Sequence, residues 1–211
     1  MIYLIGGSPR CGKTTLAKKL SKKLSISWIS ADTIESVVAS GVKKKDLNRL
    51  FPKNLLRRKT KMSNDLMYNT YSAERIKDVY IRQSKTSWRA IETIVECGIH
   101  DGDDYIIEGH QVHPELMNSL VKKHGKKNIQ PIVLTRFDIN DIVEGGLKHK
   151  AKDDWFVQKT EEKSTLYLIA EMLVQYSQYY SLEAKKYKIK TFNLDKSFLQ
   201  KLNKVFIYLK K

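Results

Sequence analysis

Gly7, Gly12, Lys13 and Thr14 fall in the spacing G-x-x-x-x-G-K-[ST] within "IGGSPRCGKTTLAKKL" near the start of the chain. Two glycines at that separation let the backbone curl until successive N–H groups converge on phosphate oxygens, and a helix opening at Lys13 adds its positive end. A lysine in the next position reaches the β- and γ-phosphates, and the Thr14 hydroxyl is placed to ligate magnesium. Ser8, Pro9, Arg10 and Cys11 form the body of this loop, with Pro9 stiffening it, and Thr15 begins the helix beside the α-phosphate. Arg10 either adds to the positive field over the phosphates or points outward. The expected ligands are therefore nucleotide phosphates and Mg2+.

A phosphate loop serves switches, motors and kinases alike. A guanine-selecting N-K-x-D pattern is missing, since the one Asn-Lys pair continues as "NKVF", and 211 residues are few for a motor or transport ATPase. Phosphoryl transfer to a small acceptor needs a carboxylate for the acceptor hydroxyl, an acid that orients magnesium, and cations over the moving phosphoryl group. Asp32, at the end of the strand-like "ISWIS", suits the first role as base or acceptor orienter, and can also cap the helix that follows. Glu108 ends the apolar "YIIEG" and suits the second, through water. Arg136 directly follows another apolar run, and Lys148, Lys150 and Lys152 come soon after it, so these are the candidate clamp. Arg57 and Arg58 are candidate contacts for an anionic acceptor, and His110 for the acceptor itself. His113 reads as a surface or capping residue. The two histidines lack a third ligand at metal spacing.

The elements that must carry these residues alternate. Residues 2–6 read as a buried strand, 14–24 as an amphipathic helix, 26–30 as a strand, and Thr33 to about Ser40 as a short helix. A basic insertion at 43–71, broken by Pro52, precedes a long helix over about 72–97 that Gly98 ends. Strands at 104–109 and 129–135 flank a helix over about 114–123, although Pro131 is unusual in a strand. Residues 136–160, with Gly145 and Gly146, read as a mobile lid in which Trp155 and Phe156 serve as hinge or anchor. A helix over about 160–185, a strand at 188–194 and a helix over about 197–209 complete the chain. Trp88 and Arg89 border the acceptor pocket or pack in the core. This is the pattern of an α/β three-layer sandwich with a five-stranded, mainly parallel sheet in one domain, 1–211.

Composition narrows the setting. Hydrophobic residues make up 41%, two cysteines are too few for a disulfide framework, and no apolar run is long enough to span a bilayer. A cytoplasmic protein, monomer or homodimer, is the expectation. The net charge of +16, from 39 basic against 23 acidic residues, attracts phosphates in general. No nucleic-acid motif accompanies it, so a small-molecule acceptor is favoured over nucleic acid.

With "GGSPRCGKTT", "ISAD" and "YIIEGHQVHP" in place, the chain resembles the adenylate-kinase-like branch of P-loop kinases. Within it the nearest likeness is to 2-phosphoglycerate kinases and their relatives, and more distantly to the zeta-toxin and chloramphenicol phosphotransferase group. The resemblance implies a P-loop NTPase fold, ATP with magnesium, the nucleotide at Gly7 to Thr15, Asp32 near the acceptor and Glu108 near the metal's water shell. Relatives of this kind carry an arginine-rich lid. Here the corresponding segment has mainly lysines, with Arg136 at its start. A nucleoside, nucleotide or polynucleotide 5′-hydroxyl acceptor is an alternative, and a non-catalytic ATP-binding regulatory module is another.

Overall fold

A computed structural model describes residues 1–148 and 154–210. The elements run β1 (Ile2–Gly7), α1 (Lys13–Leu24), β2 (Ser27–Ser30), α2 (Ala31–Ser40), α3 (Lys44–Leu50), α4 (Pro52–Lys59), α5 (Asn64–Thr70), α6 (Ala73–Ser84) and α7 (Trp88–Asp101). They continue with β3 (Tyr105–Glu108), α8 (Pro114–His124), β4 (Ile129–Thr135), α9 (Ile139–Lys148), α10 (Trp155–Gln158), α11 (Lys163–Lys186), β5 (Lys190–Asn193) and α12 (Phe198–Leu209). The strands form one sheet in the order β2-β3-β1-β4-β5, and every pairing is parallel. All five strands therefore end at one edge, where loops can build a site.

Alternation along the strands makes the three layers. Leu4, Ile107 and Val133 face the larger core, shared with α2, α6, α7, α8 and α11, while Ile5, Ile106 and Leu134 face a smaller one shared with α1 and α12. Buried on both sides, these strands are apolar almost throughout, as a parallel sheet requires. Pro131 is tolerated in β4 because β5 pairs with β4 only from Ile132 onward, so no ladder bond on that flank is lost. No helix among the described residues is long and apolar enough to cross a membrane.

Several expected boundaries move. The helix expected over 72–97 is two helices, α6 and α7, joined by a 3-10 turn at Lys85–Ser87. In that junction the hydroxyls of Ser84, Thr86 and Ser87 donate back to the carbonyls of Ile81, Gln83 and Ser84, competing with the continuous helical ladder. Gly98 does not end α7. It lies inside the helix where the Tyr105 ring leaves no room for a Cβ, and the left-handed Gly102 terminates it. The insertion folds as α3, α4 and α5, with Leu56, Met67 and Tyr68 in the larger core. Gly145 and Gly146 lie within α9, Gly146 beneath the Phe156 ring. Lys150 and Lys152 are outside the described residues.

His113 is also not where its sequence neighbourhood suggests. It begins α8 without capping it by its side chain and is fully buried. Its Nε2 lies 2.7 Å from Ser84 Oγ and its Nδ1 3.2 Å from Tyr179 OH, amid the rings of Trp88, Tyr176 and Tyr180. The loop after β3 dives under α11, so a histidine expected at the surface becomes part of a polar core. Burial, helped by the charge of Lys85, pulls its pKa from 6.5 to about 3.

Two predictions follow from this packing. As pH falls below about 6.5 the unfolded chain protonates His113 while the native chain resists until about 3, so stability is lost progressively across that window. Urea midpoints measured between pH 7 and pH 4 will decline less steeply for His113→Gln than for the natural chain, and parallel curves would contradict this. A Cβ on Gly6 would lie 2.1 Å from the Val112 carbonyl oxygen. Gly6→Ala is expected to cost at least about 1–3 kcal/mol in the same melts.

Candidate active site

The site grows from the end of β1. Gly7 has φ 142°, and a Cβ there would stand 2.1 Å from the Leu134 carbonyl oxygen. Arg10 and Gly12 are left-handed at φ 63° and 91°, which bends the loop back on itself before α1 begins. Gly12 caps α1 without a side chain, and no acidic residue occupies the first turn. The first N–H groups of α1 are therefore left for an anion. Lys13 is buried at the head of that helix, and its Nζ donates to the Ser8 carbonyl at 2.7 Å, over the Cys11 Sγ at 3.8 Å. Cys11 itself is buried, and its thiol pKa is raised by that burial.

Strand register brings the acids alongside. Glu108 is the partner of Ile5 in β1 and of Ser30 in β2. Thr14 Oγ1 donates to Glu108 Oε1 at 3.0 Å. Burial raises the Glu108 pKa, against the opposing pull of Lys13 and the Thr14 hydrogen bond. A hydroxyl and a buried carboxylate, side by side next to a phosphate loop, suit a small hard cation that keeps most of its water.

Asp32 sits in the first turn of α2, two residues beyond Ser30. Its backbone N–H donates to Ser30 Oγ at 3.3 Å, so the capping of α2 falls to Ser30. That leaves the Asp32 carboxylate, its side chain 68% exposed, uninvolved in the cap and at the sheet edge. Gln111 Nε2 donates to its Oδ1 at 2.8 Å, and His110 Nε2 lies 3.5 Å away. Burial by itself would raise this carboxyl, but the His110 ring, Gln111 and the Lys53 and Lys13 ammoniums together hold it below its usual value. Burial, aided by Lys53, keeps the His110 pKa far below 6.5, so the ring is neutral at pH 7.

Behind Asp32 stands a network that the sequence patterns did not single out. Glu35, one turn further along α2, accepts from Lys53 Nζ at 2.8 Å and Gln83 Nε2 at 2.7 Å through Oε1, and from Gln111 Nε2 at 3.3 Å through Oε2. The i, i+3 spacing of Asp32 and Glu35 on an amphipathic helix was the available signal. Lys53 is the insertion cation that touches this network. Arg57 instead donates to Asn64 Oδ1 at 2.6 Å and the Met62 carbonyl at 2.7 Å, and Arg58 to Asn48 Oδ1 at 2.6 Å, so both are engaged in holding the insertion's helices together. Trp88 packs on the larger core and donates through Nε1 to the Gln111 carbonyl at 2.9 Å, bracing that loop.

On the other side of the phosphate loop lies a cavity of about 530 Å3 lined by Gly12, Lys13, Thr14, Arg136, Lys148 and Phe198, among others. Arg136 immediately follows β4, pairs with Asp141, and has its guanidinium 5.8 Å from the centre of the Phe198 ring. Its backbone N–H donates to Ser177 Oγ at 3.2 Å, and that hydroxyl lies 2.7 Å from Ser8 Oγ. Helix α11 thus ties the phosphate loop to the end of β4. Arg10 turns toward α10, pairing with Asp154 and lying 4.4 Å from the Phe156 ring centre. Asp195, two residues past β5, accepts from the Phe137 N–H.

No family model matches the chain, and no curated protein matches it either. Solved structures do. A shikimate kinase from Bacteroides thetaiotaomicron superimposes with a TM-score of 0.53 at 12% identity, covering 100% of this chain and 99% of that one. An unliganded sugar kinase from Janibacter sp. HTCC2649 gives 0.53 at 13% identity, over 99% of this chain and 94% of that one. At such identities the likeness is one of fold. The chain shares its α/β architecture, a five-stranded parallel sheet between helical layers, with these solved kinases.

Proposed function

We propose that the protein is an ATP- and magnesium-dependent kinase that moves the γ-phosphoryl group to a hydroxyl or phosphate of a small-molecule acceptor. The observation that carries this reading is the register of β2, β3 and β1, which sets Asp32, Glu108 and Lys13–Thr14 in a row along one sheet edge. An exposed carboxylate in the first turn of α2 also suits the helix dipole, but its place in that row is what a phosphoryl acceptor would need.

In this reading the phosphates of ATP rest on the N–H groups at the start of α1, with Lys13 leaving the Ser8 carbonyl to hold the β- and γ-oxygens. Arg136 and Phe198 border the cavity that takes the nucleoside end. Thr14 and Glu108 would hold Mg2+, the latter through water, and the ion would neutralise charge on the β- and γ-phosphates. For a hydroxyl acceptor, Asp32 accepts its proton or orients it, the oxygen forms its bond to the γ-phosphorus, and the bond to the bridging oxygen breaks to release ADP. A carboxylate held below its usual pKa is ionised at pH 7 and so available to accept that hydrogen. His110 stays neutral and hydrogen-bonds acceptor or Asp32. Lys148, which lines the cavity beside the phosphate loop, would cover the phosphates and help keep water from intercepting the transfer. Arg57 and Arg58 would meet an anionic acceptor only after leaving their bonds within the insertion. The resemblance to 2-phosphoglycerate kinase relatives puts that compound first among acceptors to be tried.

A coupled ADP-release assay with ATP and Mg2+ tests the proposal against 2-phosphoglycerate, sugars, nucleosides, nucleoside monophosphates, hydroxylated antibiotics and a 5′-hydroxyl oligonucleotide. One acceptor is expected to stimulate release. Lys13→Ala should lower the stimulated rate about 10²–10³-fold and Asp32→Asn about 10²–10⁴-fold. Release that no acceptor stimulates and that Asp32→Asn leaves unchanged would instead indicate an ATP-binding regulatory module. For the metal, Glu108→Gln is expected to raise the Mg2+ concentration needed for half-maximal activity about 10–100-fold, with a smaller change in the KM for ATP. An unaltered Mg2+ requirement would remove Glu108 from that role.

A further inference from the structure

At the opposite edge of the sheet from the phosphate loop, a second concavity of about 450 Å3 opens where β4 and β5 begin. Ile129 and Pro131 of β4, Val121 of α8 and Ile189 give it an apolar floor. Tyr187, just after α11, and Tyr208, near the end of α12, add two aromatic rings, the latter set edge-on to Phe192 at 5.3 Å. Four lysines, Lys122, Lys126, Lys188 and Lys190, stand on its rim, all exposed. Among the described residues none of the four is in an ion pair and no carboxylate lines the cavity. Elsewhere on this surface lysines do find acids, as Lys85 finds Glu115 and Lys123 finds Glu96. The amides of Asn118 and Gln130 also line it and make no side-chain hydrogen bond among the described residues.

This is a concave apolar surface with aromatic rings, two free carboxamides and a one-signed rim. A flat ring can lie on Tyr208, on Tyr187, over which the Lys186 ammonium stands at 4.9 Å, and on the aliphatic floor, and a carboxamide can donate to and accept from the edge of a heterocycle. Lys122, Lys126 and Lys188 can take an anion without leaving an ion pair, as can Lys190, 5.7 Å from the Phe192 ring centre. The volume suits one nucleotide rather than a bare phosphate. We propose that this cavity is a second anion site that binds a nucleoside monophosphate unit, with the base against Tyr187 and Tyr208 and the phosphate on the lysine rim. That unit is either a free nucleotide or the end of a single strand. The site is separate from the candidate active site, because the seven residues of β4 run between them at about 3.3 Å each. It is also independent of the kinase reading, and it gives part of the chain's unexplained positive charge a defined place.

The test uses fluorescence anisotropy with fluorescein-labelled AMP and fluorescein-labelled decathymidylate, on full-length Lys13→Ala protein so that the phosphate loop contributes little. At least one probe is expected to bind, more weakly as KCl is raised from about 50 to about 200 mM. Adding Lys122→Glu and Lys190→Glu together should weaken it at least about tenfold, while Lys44→Glu with Lys45→Glu, an equal change of net charge on α3, should have a much smaller effect. Loss of AMP binding identifies a free nucleotide as the source, and loss confined to decathymidylate identifies a strand end. Binding of neither probe, binding indifferent to the Lys122 and Lys190 changes, or equal loss in the α3 variant would overturn the proposal. Unfolding curves of each variant by circular dichroism separate lost binding from lost structure.

Discussion

Two missing side chains at the end of the central strand set the geometry of everything around them. Gly6 lets the loop after β3 approach until the Val112 carbonyl oxygen occupies the space of a Cβ, and Gly7 does the same for the Leu134 carbonyl oxygen of β4. The central strand is thus pinched from both flanks. From one side this brings His110 and Gln111 toward Asp32, and from the other it brings Arg136 to the mouth of the phosphate loop. Larger residues here would push both flanks outward, and the candidate site would lose its walls before it lost any of its chemical groups.

The same compression explains the buried polarity. A loop drawn under α11 cannot keep its histidines in water, so His113 is partnered by Ser84 and Tyr179, and Tyr176 and Tyr180 lie against the His110 backbone. Buried polar groups are tolerable only when their partners are present. Helix α11 supplies many of them, and through Ser177 it also touches Ser8 and Arg136. One long helix therefore couples the packing of the core to the position of the phosphate loop. The acidic residues near the cleft follow a related logic: Glu35 is buried and paired with Lys53, whereas Asp32, one turn away, keeps its side chain exposed.

Much of the fold was legible because its determinants are local. A strand of apolar residues, a glycine turn and a helix with lysines on one face can be recognised without knowing what they pack against, and the five strands lie where the alternation of elements places them. The errors are local features overruled by distant ones. Gly98 looks like a helix terminator, yet the Tyr105 ring needs its bare Cα and α7 continues. The hydroxyl cluster Ser84, Thr86 and Ser87 interrupts what periodicity alone presents as one helix. Arg57 and Arg58 have the charge for an acceptor site, but only the three-dimensional arrangement reveals Asn64, Met62 and Asn48 waiting for them.

The sequence by itself determined the candidate phosphate loop, since its glycines, its lysine and the helix start all lie within eight consecutive residues, 7–14. It also determined the order of the five strands, which is set by apolar runs and breakers along the chain. The sequence also nominated Asp32 and Glu108, but tertiary structure alone decided how those acids meet the loop and how their surroundings shift them. Strand register puts Glu108 against Thr14, and residues far apart in the chain, His110, Gln111 and Lys53, adjust Asp32. Register and electrostatic environment are properties of neighbours across space, and they come into being only when the sheet closes and water is excluded from between its layers.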